Sequence, residues 1–330
     1  MSLEAARKET GMVLRWAIMG TGGIAAALVP AIVAEGGSVV AVGSADADRA
    51  ASFARTHDIP RHHGRHHDVL EGGDVDVVYI ATTNERHHLD AMACVEAGVP
   101  VLVEKPFAMD LSRVDGVLAG AAARGVFVME AMWMRLQPGF RAVEERIAAG
   151  AIGEPTTLTA HFSISRPVDP ARRWFAPELG GGALLDVGIY PLTLAIALLG
   201  EPTEARALGT LASTGVDAQL AVAMRHPRAL SSWSCSFVSD HGVEAVVGGP
   251  DGSLSLQHPF QNTPRVVHRV DGVIVEDLEV VGADLGYRYE VREVHRCLAD
   301  GLQQSPMVTW ERTRQVQRWL DALRDQVAGS

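Results

Sequence analysis

The chain is short of cysteine and of basic charge, and each shortage excludes a class of protein. Its 330 residues include three cysteines, Cys94, Cys235 and Cys297, which lie far apart and form no C-x-x-C pair. We therefore expect neither a disulfide framework nor a cysteine zinc site, and the expected compartment is a reducing cytoplasm. Lysine and arginine total 29 against 40 acidic residues, with no dense basic block. A general nucleic-acid binder is not expected.

Long uninterrupted apolar runs are also missing. The most apolar stretch, residues 180–200, opens with three glycines and contains Asp186, so we expect no membrane-spanning helix and no membrane partner. Residues 1–13 are charged and lack an apolar core, which does not fit an export signal, and Met12 is an alternative start. With 47% hydrophobic and 21% charged residues, the chain has a globular composition and a length typical of about two domains.

The first third alternates apolar strand-like runs with helical patterns. Strands are predicted at 14–19, 38–42, 75–81, 101–104 and 127–130, and helices at 24–35, 48–57, 86–97 and 111–124. This rhythm predicts an α/β domain with a doubly wound parallel sheet over residues 1–134. Hairpin turns and further helices follow, including a helix over 182–199, and they predict an α+β domain with a mostly antiparallel open sheet over 135–330.

A glycine-rich turn follows the first predicted strand. Residues 20–25 read Gly-Thr-Gly-Gly-Ile-Ala and lead into a helix, which is the G-x-G-x-x-[GA] dinucleotide fingerprint of a Rossmann domain in its required context. The glycines allow a tight turn and a close approach of pyrophosphate to the helix N-terminus. The predicted cofactor residues here are Gly20, Gly22, Gly23 and Ile24. The alternative is a turn that merely connects a strand to a helix.

The end of the second strand bears on the choice of dinucleotide. Ser44 stands where an acidic residue would bind the adenosine ribose, and it leaves room for a 2′-phosphate. Ala45 supplies no arginine to clamp that phosphate. Asp46 either binds the ribose or caps the next helix. The pattern favours NADP over NAD.

Two clusters carry candidate proton-transfer chemistry. Glu104-Lys105-Pro106 ends a buried parallel strand at the edge where ligands bind. Lys105 either positions a substrate hydroxyl or is a solvated residue at a strand end. Asp186 and Tyr190 lie four residues apart, so on a helix they share a face and form a carboxylate–phenol relay. Alternatively, the carboxylate braces the helix and the tyrosine packs in the core.

These motifs, in this order, resemble the Gfo/Idh/MocA family over essentially the whole chain. The resemblance depends on residues 20–25, on Asn84 and His87, on residues 104–106 and on the Asp186/Tyr190 helix. Residues 128–135 and 177–182 are most similar to its branch of dimeric dihydrodiol dehydrogenases and NADP-dependent D-xylose 1-dehydrogenases. Two departures are Thr83, where a proline is common, and Ala45, where NADP users typically have arginine.

The resemblance implies a role for each matched residue. Lys105 and Tyr190 would transfer the proton, Asp186 would orient the substrate, and the Lys105–Pro106 bond would be cis. Further cofactor contacts are implied for Asn84, His87, Glu104 and Arg135. Substrate contacts are implied for Trp133, Arg173 and Trp174.

The predicted function is an NAD(P)-dependent dehydrogenase or reductase. It would move a hydride between nicotinamide and the carbinol carbon of a sugar, polyol or cyclic trans-diol. The alternatives are a non-catalytic dinucleotide sensor and an NAD-dependent glycoside hydrolase of the same superfamily. A homodimer or homotetramer is expected by analogy.

Residues 61–67 are rich in histidine but contain Gly64 and have no fixed acidic partner, so a solvated basic loop is expected there and no metal is predicted.

Overall fold

The computed structural model describes residues 13–328, which divide into two compact units. The first contains the described chain up to Trp133 together with Tyr287–Arg314, and the second contains Met134–Gly286 and the chain from Gln315 onward. The expectations for the first twelve residues, including Met12, lie outside the described residues.

The first unit is a six-stranded sheet in the order β3-β2-β1-β4-β5-β6 with every pair parallel. This confirms the predicted doubly wound fold. Its strands are β1 (Arg15–Met19), β2 (Ser38–Gly43), β3 (Arg61–His63), β4 (Val77–Ile80), β5 (Val101–Glu104) and β6 (Val128–Ala131). Its first four helices are α1 (Gly23–Ala34), α2 (Ala47–Thr56), α3 (His87–Glu96) and α4 (Leu111–Arg124).

Local signals account for these elements. Strands β4 and β5 are buried along their whole length, as expected for strands covered on both faces. Asp110 caps α4, since its side chain accepts a hydrogen bond from the Arg113 N–H at 2.9 Å. Strand β3 was missed, because three residues beginning in a histidine-rich run give no readable alternation.

The predicted boundary placed all of 135–330 in the second domain, which is wrong for residues 287–314. Helix α7 (Arg288–Ala299) packs on α1, where the Glu35 carboxylate accepts hydrogen bonds from Arg288 Nε at 2.5 Å and Arg292 Nε at 2.6 Å. The Trp310 indole donates to the Val128 carbonyl at 2.9 Å. An amphipathic pattern shows that a helix has an apolar face, but it does not show which unit that face covers.

The second unit is an eight-stranded sheet in the order β14-β13-β12-β11-β7-β10-β9-β8. Only the β7/β10 pair is parallel among these strands, so the predicted mostly antiparallel sheet is confirmed. The strands are β7 (Thr157–Ser163), β8 (Glu204–Leu211), β9 (Asp217–Arg225), β10 (Leu230–Ser236), β11 (Gly242–Gly249), β12 (Gly252–Leu256), β13 (Arg265–Val270) and β14 (Val273–Glu279). The remaining helices are α5 (Pro138–Ala148), α6 (Ile189–Leu199) and α8 (Trp310–Ala328).

The helix predicted over 182–199 begins with a π-helical turn, Leu184–Gly188, before α6. A β-carbon on Gly182, which has a φ of 127°, would overlap the Asp217 carboxylate, and that carboxylate accepts the Leu184 N–H at 2.6 Å. The glycine therefore admits one of the protein's own side chains. Pro177–Leu199 is long and apolar enough to cross a membrane by composition, but 83% of its most apolar window is buried in the second unit, as in a core helix.

Candidate active site

The glycine turn of the first unit is built to receive a ligand. Gly20 has a φ of 109° and donates its N–H to the Gly43 carbonyl at 2.8 Å, and a β-carbon there would overlap the Ala81 carbonyl oxygen. At Gly22 and Gly23, by contrast, a β-carbon would meet no atom within 4 Å. Gly22 caps α1 without a side-chain hydrogen bond, and the first turn of α1 contains no acidic residue. The open space and the positive helix end fit a diphosphate.

Two alanine substitutions are expected to separate folding from binding in this turn. Gly20→Ala combines a left-handed φ with a backbone overlap, so it is expected to lower the free energy of unfolding by roughly 2 kcal/mol or more. Gly22→Ala meets no atom of the protein, so it should fold normally and instead weaken dinucleotide binding at least tenfold, roughly 1.4 kcal/mol. Urea unfolding and fluorescence titration with NADPH measure the two effects. Equal stability of the two variants would contradict this account.

Ser44 and Asp46 follow β2. The Ser44 side chain is buried, and its hydroxyl accepts the Asp46 N–H at 3.3 Å. Asp46 is the N-cap of α2, where its carboxylate accepts the Arg49 N–H at 3.0 Å. The capping interpretation of Asp46 is thus confirmed, and its half-exposed carboxylate has a second oxygen 3.4 Å from Arg49 Nε.

Asn84 and His87 lie just beyond the carboxyl end of β4. Asn84 is buried in a 3₁₀ turn that leads into α3. The His87 ring is buried between two carbonyl oxygens, with Nδ1 2.8 Å from that of Pro106 and Nε2 3.2 Å from that of Thr82. Burial lowers the pKa of His87 and favours the neutral ring. A neutral ring carries one N–H, so it donates to one of these two carbonyl oxygens. The Lys105–Pro106 bond is cis, as the resemblance implied.

Glu104 and Lys105 stand at the carboxyl end of β5. The buried Glu104 carboxylate accepts the Tyr79 hydroxyl at 2.6 Å through Oε1 and the Lys105 N–H at 3.1 Å through Oε2. Lys105 is half-buried. The sequence contains one other lysine, Lys8, so Lys105 supplies the single lysine amine of residues 13–328. Tyr79 was not predicted as a site residue, because a tyrosine inside an apolar strand has the pattern of a core residue.

A second buried carboxyl, Glu130, lies on β6 opposite Val103 of β5. Its oxygens accept the Phe107 N–H at 3.1 Å and the Thr313 hydroxyl at 2.8 Å. Burial raises the pKa of Glu130 to about 7 in spite of these two donors. Sequence reasoning missed this residue as well, since its hydrogen-bond partner Thr313 is distant in the chain.

The raised pKa of Glu130 predicts a pH dependence of stability. Between pH 4.5 and about 7, the folded state keeps a proton that the unfolded state has lost. The free energy of unfolding therefore falls as pH rises through this window, by up to about 1.4 kcal/mol per pH unit. Glu130→Gln should remove this one-proton contribution in urea unfolding across the window, whereas the exposed control Glu311→Gln should not. Equal slopes in the two variants would contradict it.

The second unit carries Asp186 and Tyr190. Asp186 lies in the π-helical turn and accepts a hydrogen bond from Arg173 at 3.2 Å. Tyr190 lies in the first turn of α6, buried, with its ring stacked on Phe162 at a centroid distance of 5.3 Å. π-Helical turns are rare in proteins, and those that occur are often found at functional sites.

In the same unit, the guanidinium groups of two arginines lie near the Trp174 ring. The Arg166 guanidinium lies 3.9 Å from the Trp174 ring centroid, and that of Arg173 lies 5.5 Å from it. Burial lowers the pKa of Arg166, while the Asp186 carboxylate opposes that shift. The structure thus groups Asp186 with the predicted Arg173 and Trp174, and it adds Arg166, which lies in a loop without a readable pattern.

Trp133 and Arg135 make contacts of a structural kind. The Trp133 ring packs against Tyr287 at 4.8 Å within the first unit. In the second unit Arg135 lies over the Phe140 ring and is paired with Glu144 at 3.0 Å. Their predicted roles toward substrate and cofactor stay predictions.

The histidine-rich run contains a short strand. Its first three residues form β3, which corrects the expected loop, and His67 Nε2 lies 2.8 Å from the buried Asp90 carboxylate. Over residues 13–328, no group of three or more His, Cys, Asp or Glu side chains is arranged to hold a metal ion.

Comparison with known proteins agrees with this arrangement. A family model for an oxidoreductase family with an NAD-binding Rossmann fold matches residues 14–132, and one for the GFO/IDH/MocA C-terminal domain matches residues 140–255. The chain belongs to the Gfo/Idh/MocA family of oxidoreductases. It is 32% identical over 309 residues to trans-1,2-dihydrobenzene-1,2-diol dehydrogenase of Mus musculus, covering 90% of this chain and 92% of the relative. The expected enzyme class, an NAD(P)-dependent oxidoreductase, is confirmed.

Solved structures share the fold of this family member. A 3-ketoreductase from Actinomadura kijaniata, in complex with NADP and TDP-benzene, superposes with a TM-score of 0.87 at 24% identity, covering 96% of this chain and 98% of that one. An oxidoreductase from Agrobacterium radiobacter, in complex with NAD⁺, L-tartaric acid and magnesium, has a TM-score of 0.81 at 20% identity, covering 96% and 97%. At these identities the likeness establishes the fold alone.

Proposed function

We propose that this family member oxidises a CH–OH group of a sugar, polyol or cyclic trans-diol, or reduces the corresponding carbonyl. The observation that carries the proposal is Lys105, which follows β5 at the ligand-binding edge of a sheet whose glycine turn is open to a diphosphate. The substrate class is supported by the dihydrodiol dehydrogenase name of the mouse relative.

The residues divide the chemistry between them. The bound dinucleotide supplies the hydride acceptor or donor at its nicotinamide ring. In the oxidative direction, the Lys105 side chain holds the reacting oxygen, and Tyr190 receives the hydroxyl proton as the C–H bond gives up its hydride. Asp186, held by Arg173 at 3.2 Å, orients the substrate hydroxyls. As the resemblance implies, Asn84, His87 and Arg135 are assigned to the cofactor. Trp133 and Trp174 are assigned to the substrate.

The preferred dinucleotide in this proposal is NADP. Ser44 leaves no carboxylate at the end of β2, and the Asp46 carboxylate is engaged in capping α2. A 2′-phosphate therefore meets less repulsion here than beside an acidic residue at position 44.

Parallel assays with NADP⁺ and NAD⁺ test the proposal against aldoses, inositols and cyclic trans-diols. Reduction of dinucleotide by at least one substrate class is the expected result, with a higher kcat/KM for NADP⁺. Dinucleotide binding without turnover of any substrate would favour a sensor. Cofactor that survives purification, together with glycoside cleavage and no net reduction, would favour a hydrolase.

The proposal includes a reducing cytoplasm and a homodimer or homotetramer. Cys94, Cys235 and Cys297 are buried free thiols, which suits a reducing compartment. The sheet of the second unit exposes apolar side chains at Leu208 and Leu230, which suits burial against a second copy. Light scattering coupled to size-exclusion chromatography measures the oligomeric state, and a monomer would reject this part of the proposal.

A further inference from the structure

Glu290 is a buried acid without a bonding partner. It lies on α7 in the first unit with no solvent exposure, and neither carboxyl oxygen has a hydrogen-bond partner among the described residues. An ionised carboxylate in such a place would lack both water and donors, which costs several kcal/mol. The carboxyl group is therefore held in its neutral, protonated form.

The groups that face Glu290 are acidic or phenolic. They are Glu104 from β5 and Tyr79 from β4. Glu104 accepts hydrogen bonds from Tyr79 and from the Lys105 N–H, so it is bonded as a carboxylate. Burial, and then the Glu104 carboxylate, raise the pKa of Glu290 well above its usual range.

The cations of α7 are engaged elsewhere. Arg288 and Arg292 bond to Glu35, the C-cap residue of α1, and Arg296 bonds to Glu293 of its own helix at 2.8 Å. The charge that acts on Glu290 is the Glu104 carboxylate at the ligand edge of the sheet. A positive charge brought to that edge would act on both carboxyl groups through a medium of low dielectric constant.

We propose that Glu290 holds a proton in the free protein and releases it when the oxidised nicotinamide dinucleotide binds, whereas binding of the reduced form releases none. This inference rests on the proposed function, because hydride transfer at Lys105 requires the nicotinamide ring at the carboxyl end of β5. The oxidised ring is a cation and the reduced ring is neutral. The Glu290 O–H bond breaks, the proton passes to the buffer, and no electrons are transferred in this step.

Glu290 acts here as a positioning residue through charge and does not touch the substrate. When Glu290 ionises, its negative charge attracts the cationic nicotinamide ring. Ionised Glu290 therefore favours binding of the oxidised cofactor over the reduced one. Because a proton is released, affinity for the oxidised form rises with pH, by up to about tenfold per pH unit, while affinity for the reduced form stays level.

Isothermal titration calorimetry tests this directly on the full chain. NADP⁺ and NADPH are titrated into the protein in phosphate and in Tris, whose ionisation enthalpies differ, so the difference in heat counts the protons released. The wild type should release about one proton with NADP⁺ and none with NADPH. Glu290→Gln should bind NADPH as the wild type does but release no proton with NADP⁺. The exposed Glu96→Gln is the matched control and should behave as the wild type.

Each contrary outcome has a distinct meaning. Binding of NADP⁺ without proton release by the wild type, or with unchanged release by Glu290→Gln, would overturn the inference and leave the proposed function standing. Loss of proton release in Glu130→Gln but not in Glu290→Gln would show that the proton comes from Glu130, and it would also overturn the inference. Absence of binding by either NADP or NAD would reject both proposals. Glu290→Leu, similar in size without polar atoms, replaces Glu290→Gln if that variant fails to fold.

Discussion

Replacing Lys105 with methionine is expected to lower kcat by roughly 10³-fold while dinucleotide affinity changes little. Methionine keeps the length of the aliphatic stem but removes the amine that holds the reacting oxygen. The main-chain N–H of residue 105 still donates to Glu104, so the strand end should keep its geometry. Steady-state kinetics and NADPH titration measure the two quantities.

The control for this substitution is Arg124→Met, which removes an exposed cation at the end of α4. Its kcat should match that of the wild type. Since Lys105 supplies the single lysine amine of residues 13–328, an amine reagent offers a second measurement, with modification of Lys105 read by mass spectrometry and slowed by bound dinucleotide. Near-normal turnover of Lys105→Met would reject its assignment as the residue that holds the oxygen.

Replacing Tyr190 with phenylalanine is expected to lower kcat by about 10²-fold and to change the pH profile of kcat. The ring, which stacks on Phe162, is retained, so the loss reports on the hydroxyl and not on packing. A residual rate that depends less on pH is the signature of a missing proton-transfer group. The pH profiles of kcat for wild type and variant are the required measurement.

Tyr289→Phe is the matched control, since Tyr289 also pairs a ring contact with a hydroxyl and lies in the first unit. Thermal unfolding of Tyr190→Phe should occur close to the wild-type temperature. A large loss of stability with an unchanged pH profile would instead support the alternative of a core tyrosine with a satisfied hydroxyl.

The buried acids explain why part of the first unit could not be predicted. Glu104 was found from the sequence because it ends an apolar strand beside Lys105. Glu290 lies in a helix with ordinary amphipathic spacing, and its neutral state follows from burial next to a residue 186 positions earlier in the chain. Burial and charge at such a site depend on contacts between distant segments, which periodicity does not report.

The sequence alone determined what short-range physics dictates. A turn with the glycines of residues 20–25 needs no distant contact to favour a phosphate-binding helix end, and Asp110 and Asp46 cap their helices through neighbours three residues away. Tertiary structure alone decided which unit α7 covers, how the Asp217 carboxylate shapes the turn that holds Asp186, and which carboxyl groups lose their solvent. Those outcomes follow from packing between segments far apart in the chain, where the free energy of burial outweighs local preference.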